Sequence, residues 1–165
     1  MRVGLGYDSH RLLPGRPLKL GGVEIPSPLG TVGHSDADVV LHALVDAMLG
    51  AAGLGDIGKW FPDTDPRWHG ADSAILVRET LQRLAETGFR LRQADVIILA
   101  ETPRLGPHKE RIRQRLADLL GLPPQQVNVK AKTNEGLGAI GRGEGIACQA
   151  LVALDEAEPK SSPRT

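Results

Sequence analysis

Apolar and polar positions alternate from the start of the chain. Val3, Leu5 and Tyr7 interleave with Gly4, Gly6 and Asp8, which predicts a strand over residues 2–8. Residues 18–25 (LKLGGVEI) read as a hairpin turning at Gly21-Gly22, and the Gly/Pro/Ser-rich stretch 26–34 as a loop. The period then becomes helical. Leu41, Leu44, Val45, Met48 and Leu49 form a stripe over 38–52; Ser35 with Asp38 resembles a capping box, and Gly53 and Gly55 stop the helix. A polar loop covers 55–71, and a second helix covers 72–87 with Ile75, Leu76, Leu81 and Leu84 turned inward. Residues 89–100 carry the buried run Val96–Leu99, and a loop at 101–107 leads to a third helix over 107–120. Strands follow at 127–132 and 145–154, separated by a Gly-rich loop at 133–144.

Strands that alternate with helices, without repeat or linker, predict one α/β (α+β) domain over residues 1–154. Four of the strands form a mixed sheet with helices packed on one face, and the hairpin stands apart. The polar, Pro-containing tail 155–165 reads as disordered. The chain has 165 residues, enough to bury a self-sufficient core. Lys+Arg and Asp+Glu balance at 20 each, so there is no bulk field to gather nucleic acid or an anionic membrane. Aromatic residues make up only 3%, which argues against base stacking. No apolar run has membrane-spanning length, and the strand-like start shows no targeting peptide, so the expected location is cytoplasmic. A single cysteine, Cys148, lies in an apolar strand and reads as an inert core thiol.

Polar chemistry is concentrated early. His10, His34 and His42, with seven of the eleven aspartates, lie between positions 8 and 65. Asp8 and His10 sit two apart at a predicted strand end, on one face and ~6.6 Å apart along the strand. With His42 they make an Asp/His/His set with an open fourth position, the pattern of a catalytic zinc. The alternative is a turn-forming Asp with a solvated His, and spacing alone leaves that account standing. Asp38, His42 and Asp46 recur at four-residue spacing on one helix face, either as a solvated stripe or with Asp46, or a carboxylate near it, orienting His42. Residues 4–9 lack the third Gly of a dinucleotide fingerprint, so Gly4 and Gly6 are read as permitting close backbone approach beside the metal. The loop 55–65 (GDIGKWFPDTD) places Trp60 and Phe61 among three aspartates, which suits a substrate loop. Residues 130–145 set cations among glycines, a composition that cradles phosphate.

Taken in order, GLGYDSH at 4–10, LGGVEIP at 20–26, GHSDADVVLHALVDAMLGA at 33–51, GDIGKWFPDTD at 55–65 and the stretch ending GRGEGIA at 130–147 resemble the 2-C-methyl-D-erythritol 2,4-cyclodiphosphate synthase family over about residues 1–154. The resemblance implies a phosphorus–oxygen lyase of non-mevalonate isoprenoid biosynthesis. Such an enzyme cyclises 4-diphosphocytidyl-2-C-methyl-D-erythritol 2-phosphate and releases CMP. It implies Asp8, His10 and His42 as ligands of one Zn²⁺ per subunit, and Glu135 beside a second ion, Mg²⁺ or Mn²⁺. His34 and Thr133 match the catalytic positions, and Ser35 a phosphate contact. Asp46, Asp56, Ile57, Gly58, Phe61, Pro62, Asp63, Thr64 and Asp65 are assigned to the methylerythritol side of the substrate. Ala100, Glu101, Thr102, Pro103, Arg104, Leu105, Gly106, Ala131, Lys132 and Thr133 are assigned to the cytidine side. It further implies a homotrimer whose sheets face a three-fold axis, with active sites between subunits and Arg142 at an axial site for an anion or isoprenoid diphosphate. Two positions depart from the family: Trp60 stands where a His is usual, and Ala139 where a Phe lines the axial cavity.

Overall fold

The computed structural model describes residues 1–157. The first strand, β1 (Arg2–Pro14), runs well past residue 8. A small hairpin of β2 (Leu18–Leu20) and β3 (Val23–Ile25) follows, then β4 (Leu29–Val32). Helix α1 (Val39–Ala52) leads to a one-turn helix α2 (Ile57–Trp60) and to α3 (Ser73–Glu86). Then come β5 (Phe89–Leu99), α4 (Lys109–Leu120), β6 (Val127–Lys132), the short α5 (Gly138–Gly141) and β7 (Gly145–Glu156). The sheet has five strands, not four, in the order β4-β1-β7-β5-β6; the hairpin forms its own two-stranded sheet. The added strand, β4, lies in the expected loop, where pairing with Arg11–Pro14 of β1 overrides its Gly/Pro-rich surroundings. Only β5 and β6 run parallel, which makes the sheet mixed. Strand β7 extends to Glu156, pairing Asp155 with Arg90 and Glu156 with Phe89, so these two residues are not part of a tail. Ala157 follows with its N–H on Gly88 O, and the remainder of the expected tail, 158–165, lies outside the described residues.

Helix α1 is central. All its residues are buried except His42, Asp46 and Gly50, so its apolar surface wraps nearly the whole helix rather than one stripe. Its small residues Ala43, Ala47 and Ala51 face β1, where Gly4 and Gly6 leave no side chain in the way. A Cβ built on Gly6 would lie 2.0 Å from the Ala43 carbonyl oxygen, and one on Gly4 2.0 Å from that of Ala47. The two glycines therefore serve helix-on-strand packing. The outward set of the same strand is apolar: Val3, Leu5 and Tyr7 are 56%, 69% and 53% exposed, joined by Leu151 of β7. Ile75 is also exposed rather than inward, while Leu76 and Leu84 are buried as expected.

The cap of α1 is Asp38, not Ser35. Its carboxylate is fully buried and accepts from Val40 N and Leu41 N, and also from Gly21 N (2.9 Å) and Gly22 N (2.6 Å) of the hairpin turn. Four N–H groups thus converge on one side chain that joins the hairpin to the helix. Asp38→Ala strands all four, and breaking a buried charged network of this kind costs about 3–5 kcal/mol. The expected outcome is a large drop in urea midpoint with an unchanged slope; a midpoint within experimental error of the parent would remove Asp38 from this role.

Candidate metal and substrate site

Asp8 and His10 project from the inner face of β1 toward α1, and His42 meets them from its helix. Asp8 Oδ2 lies 2.9 Å from His10 Nε2 and 3.0 Å from His42 Nδ1, and the two ring nitrogens are 3.1 Å apart. Among the described residues this is the only group of three such side chains close enough to share an ion. The triangle is nearly equilateral. A tetrahedron with bonds of ~2.0 Å has edges of ~3.3 Å, so one oxygen and two nitrogens present a face of the right size for zinc. The far nitrogen of His10, Nδ1, lies 3.1 Å from the Val32 carbonyl, which can only accept; Nδ1 therefore keeps a proton, and Nε2 is the nitrogen that gives its proton up when a cation binds. Gly33 makes room for that ring, since a Cβ there would lie 3.0 Å from His10 Cε1.

The electrostatics call for positive charge at this point. Burial pushes the Asp8 carboxyl up, but hydrogen bonds and charge from His10 and His42 prevail and hold it well below the usual carboxylate range. Burial pushes His10 down, and the hydrogen bond and charge of Asp8 more than reverse this, leaving its pKa raised. A proton and a metal ion compete for the same corner, so metal affinity falls as pH drops through the raised pKa of His10.

The triad opens onto a cleft of about 370 Å³. Its walls carry His34 and Ser35 on one side and Ile57, Gly58, Phe61, Pro62 and Asp63 on the other. Asp56 caps α2 through Lys59 N at 2.9 Å, and Asp46 accepts from Ile57 N at 2.7 Å, so both carboxylates shape the turn that carries Ile57 and Gly58. Burial raises the Asp46 pKa against that hydrogen bond, and Asp56 and Asp8 add to the rise. Asp46 does not orient His42 by a hydrogen bond. The ring contacts of His42 beyond the triad run instead to Ser35 and Ser73. Asp65 caps the turn at Pro66–Trp68 and pairs with Arg67 at 2.6 Å, so it and the exposed Thr64 lie off the cleft walls. Trp60 anchors the loop: its Nε1 donates to Leu54 O, and the Arg83 guanidinium lies 4.2 Å over its ring.

A second cleft of about 480 Å³ gathers the other expected group: Ala100, Glu101, Pro103, Arg104, Leu105 and Gly106 from one loop, and Ala131, Lys132 and Thr133 from β6 and beyond. Thr102 belongs to the same loop without lining the cleft. Lys109, which the sequence pattern did not single out, adds a cation. Glu101 accepts from Asn134 N, tying the two segments together, and Thr133 Oγ1 donates to Glu135 at 3.0 Å. Glu135 holds a left-handed backbone, φ 52°, as Ala37 does at φ 55°. Arg142 is exposed and pairs with Glu144 at 2.7 Å; Ala139 lines a separate cleft with Tyr7 and Arg11. Cys148 is buried with its thiol pKa pushed up by that burial, as an inert thiol should be. No helix among the described residues is long and apolar enough to cross a membrane.

A mixed α/β domain whose Asp8, His10 and His42 could hold a divalent ion at the edge of a cleft has the make-up of a metal-dependent enzyme. The particular family follows from comparison: the chain belongs to the YgbB family, whose model matches residues 1–155. It is 59% identical over 153 residues to the 2-C-methyl-D-erythritol 2,4-cyclodiphosphate synthase of Burkholderia thailandensis, covering 93% of this chain and 94% of that one. It is 56% identical over 154 residues to the synthase of Symbiobacterium thermophilum, covering 93% and 98%. A solved 2C-methyl-D-erythritol-2,4-cyclodiphosphate synthase in a CDP-bound form superposes with a TM-score of 0.87 at 46% identity, covering 93% of this chain and all of that one.

Proposed function

We propose that this chain converts 4-diphosphocytidyl-2-C-methyl-D-erythritol 2-phosphate to 2-C-methyl-D-erythritol 2,4-cyclodiphosphate and CMP. The observation that carries the reading is the convergence of Asp8, His10 and His42 on one point at the edge of the cleft that holds His34, Ser35 and Asp63. An oxygen of the 2-phosphate attacks the β-phosphorus, the bond from that phosphorus to the CMP oxygen breaks, and CMP leaves with the electron pair. No protein nucleophile is needed, so the work of the chain is orientation and charge. Asp8, His10 and His42 would hold Zn²⁺, and Glu135 would stand beside Mg²⁺ or Mn²⁺; these ions supply Lewis-acid neutralisation of phosphate charge. His34 and Ser35 bind phosphate oxygens. Asp63 and the 57–62 turn hold the methylerythritol hydroxyls, and Thr133 with Lys132 contacts the diphosphate beside the cytidine cleft.

The two clefts suit a substrate bridging neighbouring subunits of a homotrimer, and the apolar outer face of β1 and β7 supports that assembly. Arg142 would then recur three times near the axis, each with Glu144 as internal partner and an anion as external one. With Ala139 beside it, the axial cavity loses the apolar contact area that long isoprenoid diphosphates need. A cytoplasmic setting completes the proposal.

The test is metal analysis of the purified protein combined with CMP release and ¹⁸O-water labelling. The cyclase reading requires CMP with no solvent oxygen in the second product; labelled acyclic phosphate would make the protein a hydrolase. Within this reading, Asp63→Asn lowers kcat/KM about tenfold, because an amide accepts fewer hydroxyl hydrogen bonds than a carboxylate, and leaves zinc content unchanged. Zinc loss in parallel with activity would move Asp63 into the metal site.

A further inference from the structure

The side of His42 that faces away from the metal site leads into a chain of hydrogen bonds whose direction is set at its far end. Asp36 Oδ1 lies 2.5 Å from Ser73 Oγ and 3.2 Å from Ser73 N. A carboxylate only accepts, so the Ser73 hydroxyl proton points to Asp36. Ser73 Oγ is 2.9 Å from His42 Nε2. With its own proton committed to Asp36, the serine oxygen meets the imidazole as an acceptor, which draws a proton to Nε2. Nδ1 faces Asp8 Oδ2 at 3.0 Å, a competing acceptor until a cation takes up that carboxylate; with Asp8 on a cation, Nδ1 is left with its lone pair free. Ser35 Oγ, 3.0 Å from the same Nε2, accepts from Ala37 N and has Ser73 Oγ at 3.2 Å to take its own proton, an arrangement that lets it too meet Nε2 as an acceptor.

The relay is built into the core of the site. Ser73 is fully buried at the first turn of α3, and the Asp36 side chain is 13% exposed. Lys19 of the hairpin donates to Asp36 Oδ2 at 3.3 Å, which leaves Oδ1 to Ser73. The backbone is stitched alongside, with Asp36 N donating to Ala71 O and Gly70 N to His34 O. Three segments far apart in sequence thus meet behind one imidazole.

We infer that Asp36 and Ser73 are positioning residues that lock His42 in the Nε2–H tautomer and so present its Nδ1 to the metal. The inference rests on the zinc reading above and adds a cause for it. It also makes a sharp distinction between two changes at Asp36. In Asp36→Asn the amide oxygen still accepts from Ser73, so the relay keeps its direction. In Asp36→Ala the Ser73 proton is released and can turn to His42 Nε2, which favours the opposite tautomer and places a proton where the metal should bind.

The experiment measures two quantities: zinc affinity by chelator competition, and the His42 tautomer in the metal-free protein by long-range ¹H–¹⁵N NMR. Outer partners of ligating histidines are worth about 10–100-fold in affinity. Ser73→Ala and Asp36→Ala should therefore weaken zinc binding by about that factor, with Asp36→Asn within a few-fold of the parent. In the metal-free protein, Asp36→Ala should carry more Nδ1–H than the parent. Unchanged affinity and tautomer in Ser73→Ala overturn the inference. So does a zinc-loaded parent whose His42 carries its proton on Nδ1, a result that needs no variant to fold. Failure of the parent to bind zinc would instead overturn the metal assignment, leaving the tautomer shift to judge the relay by itself.

Discussion

His42→Ala is expected to abolish stoichiometric zinc retention and to take CMP release below detection, with the fold preserved. His42 is one of the few residues of α1 that is not buried in the apolar core, so its removal leaves the packing of Leu41, Leu44 and Met48 untouched. What it removes is one corner of a triangle with edges of 2.9, 3.0 and 3.1 Å. Two protein ligands on one strand do not hold zinc as three do. Elemental analysis after dialysis, with circular dichroism as a check on folding, reads the result. A variant that retains one zinc per chain would exclude His42 as a ligand.

The second large effect is expected at Gly6→Ala, a change of one methyl group. The new Cβ would lie 2.0 Å from Ala43 O and 2.6 Å from Ala47 N. Both are helix backbone atoms, which have no rotamer to change, so α1 as a whole must back away from β1. Overpacking against backbone belongs at the upper end of its range, about 3 kcal/mol or more. At roughly 2–4 °C per kcal/mol for a chain of this size, Tm falls by on the order of 10 °C. The displacement also parts His42 from Asp8 and His10, so zinc affinity falls with stability. Gly50→Ala is the control: it lies on the open side of the same helix with no atom within 4 Å of its new Cβ, and exchanging Gly for Ala in a helix adds about 1 kcal/mol. Equal effects of the two changes would show that the close approach at Gly6 does not set the spacing.

Local pattern carried much of this structure. The period of α1, the glycines that end helices at Gly53 and Gly121, and the Asp-x-His spacing on one strand face can all be read from neighbours in the chain. What could not be read depends on partners distant in sequence. Strand β4 is four residues beside Pro28, extended only because β1 offers it a ladder. Asp38 sits at a helical spacing that marks an exposed stripe, yet it is buried because two hairpin amides seventeen and sixteen residues away need an acceptor. Asp36 and Ser73 are 37 residues apart, and each looks like ordinary turn or cap chemistry by itself. Val3, Leu5 and Tyr7 announce a strand, but only the packing of Gly4 and Gly6 against α1 shows that the apolar side faces out.

The strand order β4-β1-β7-β5-β6 leaves the sheet with two free borders, and neither is inviting. One is β4, four residues long and preceded by proline, too short to template another chain. The other is β6, whose Lys130 and Lys132 place charge along the rim. Short borders, proline and lysine are the devices by which sheet proteins discourage runaway edge-to-edge growth. The exposed apolar cluster of Val3, Leu5, Tyr7 and Leu151 lies on the broad side of the sheet, where contact is made by side chains and comes to an end once that side is covered. A chain arranged in this way can be sticky without being amyloidogenic: its geometry favours a closed assembly of fixed number over an open-ended fibre.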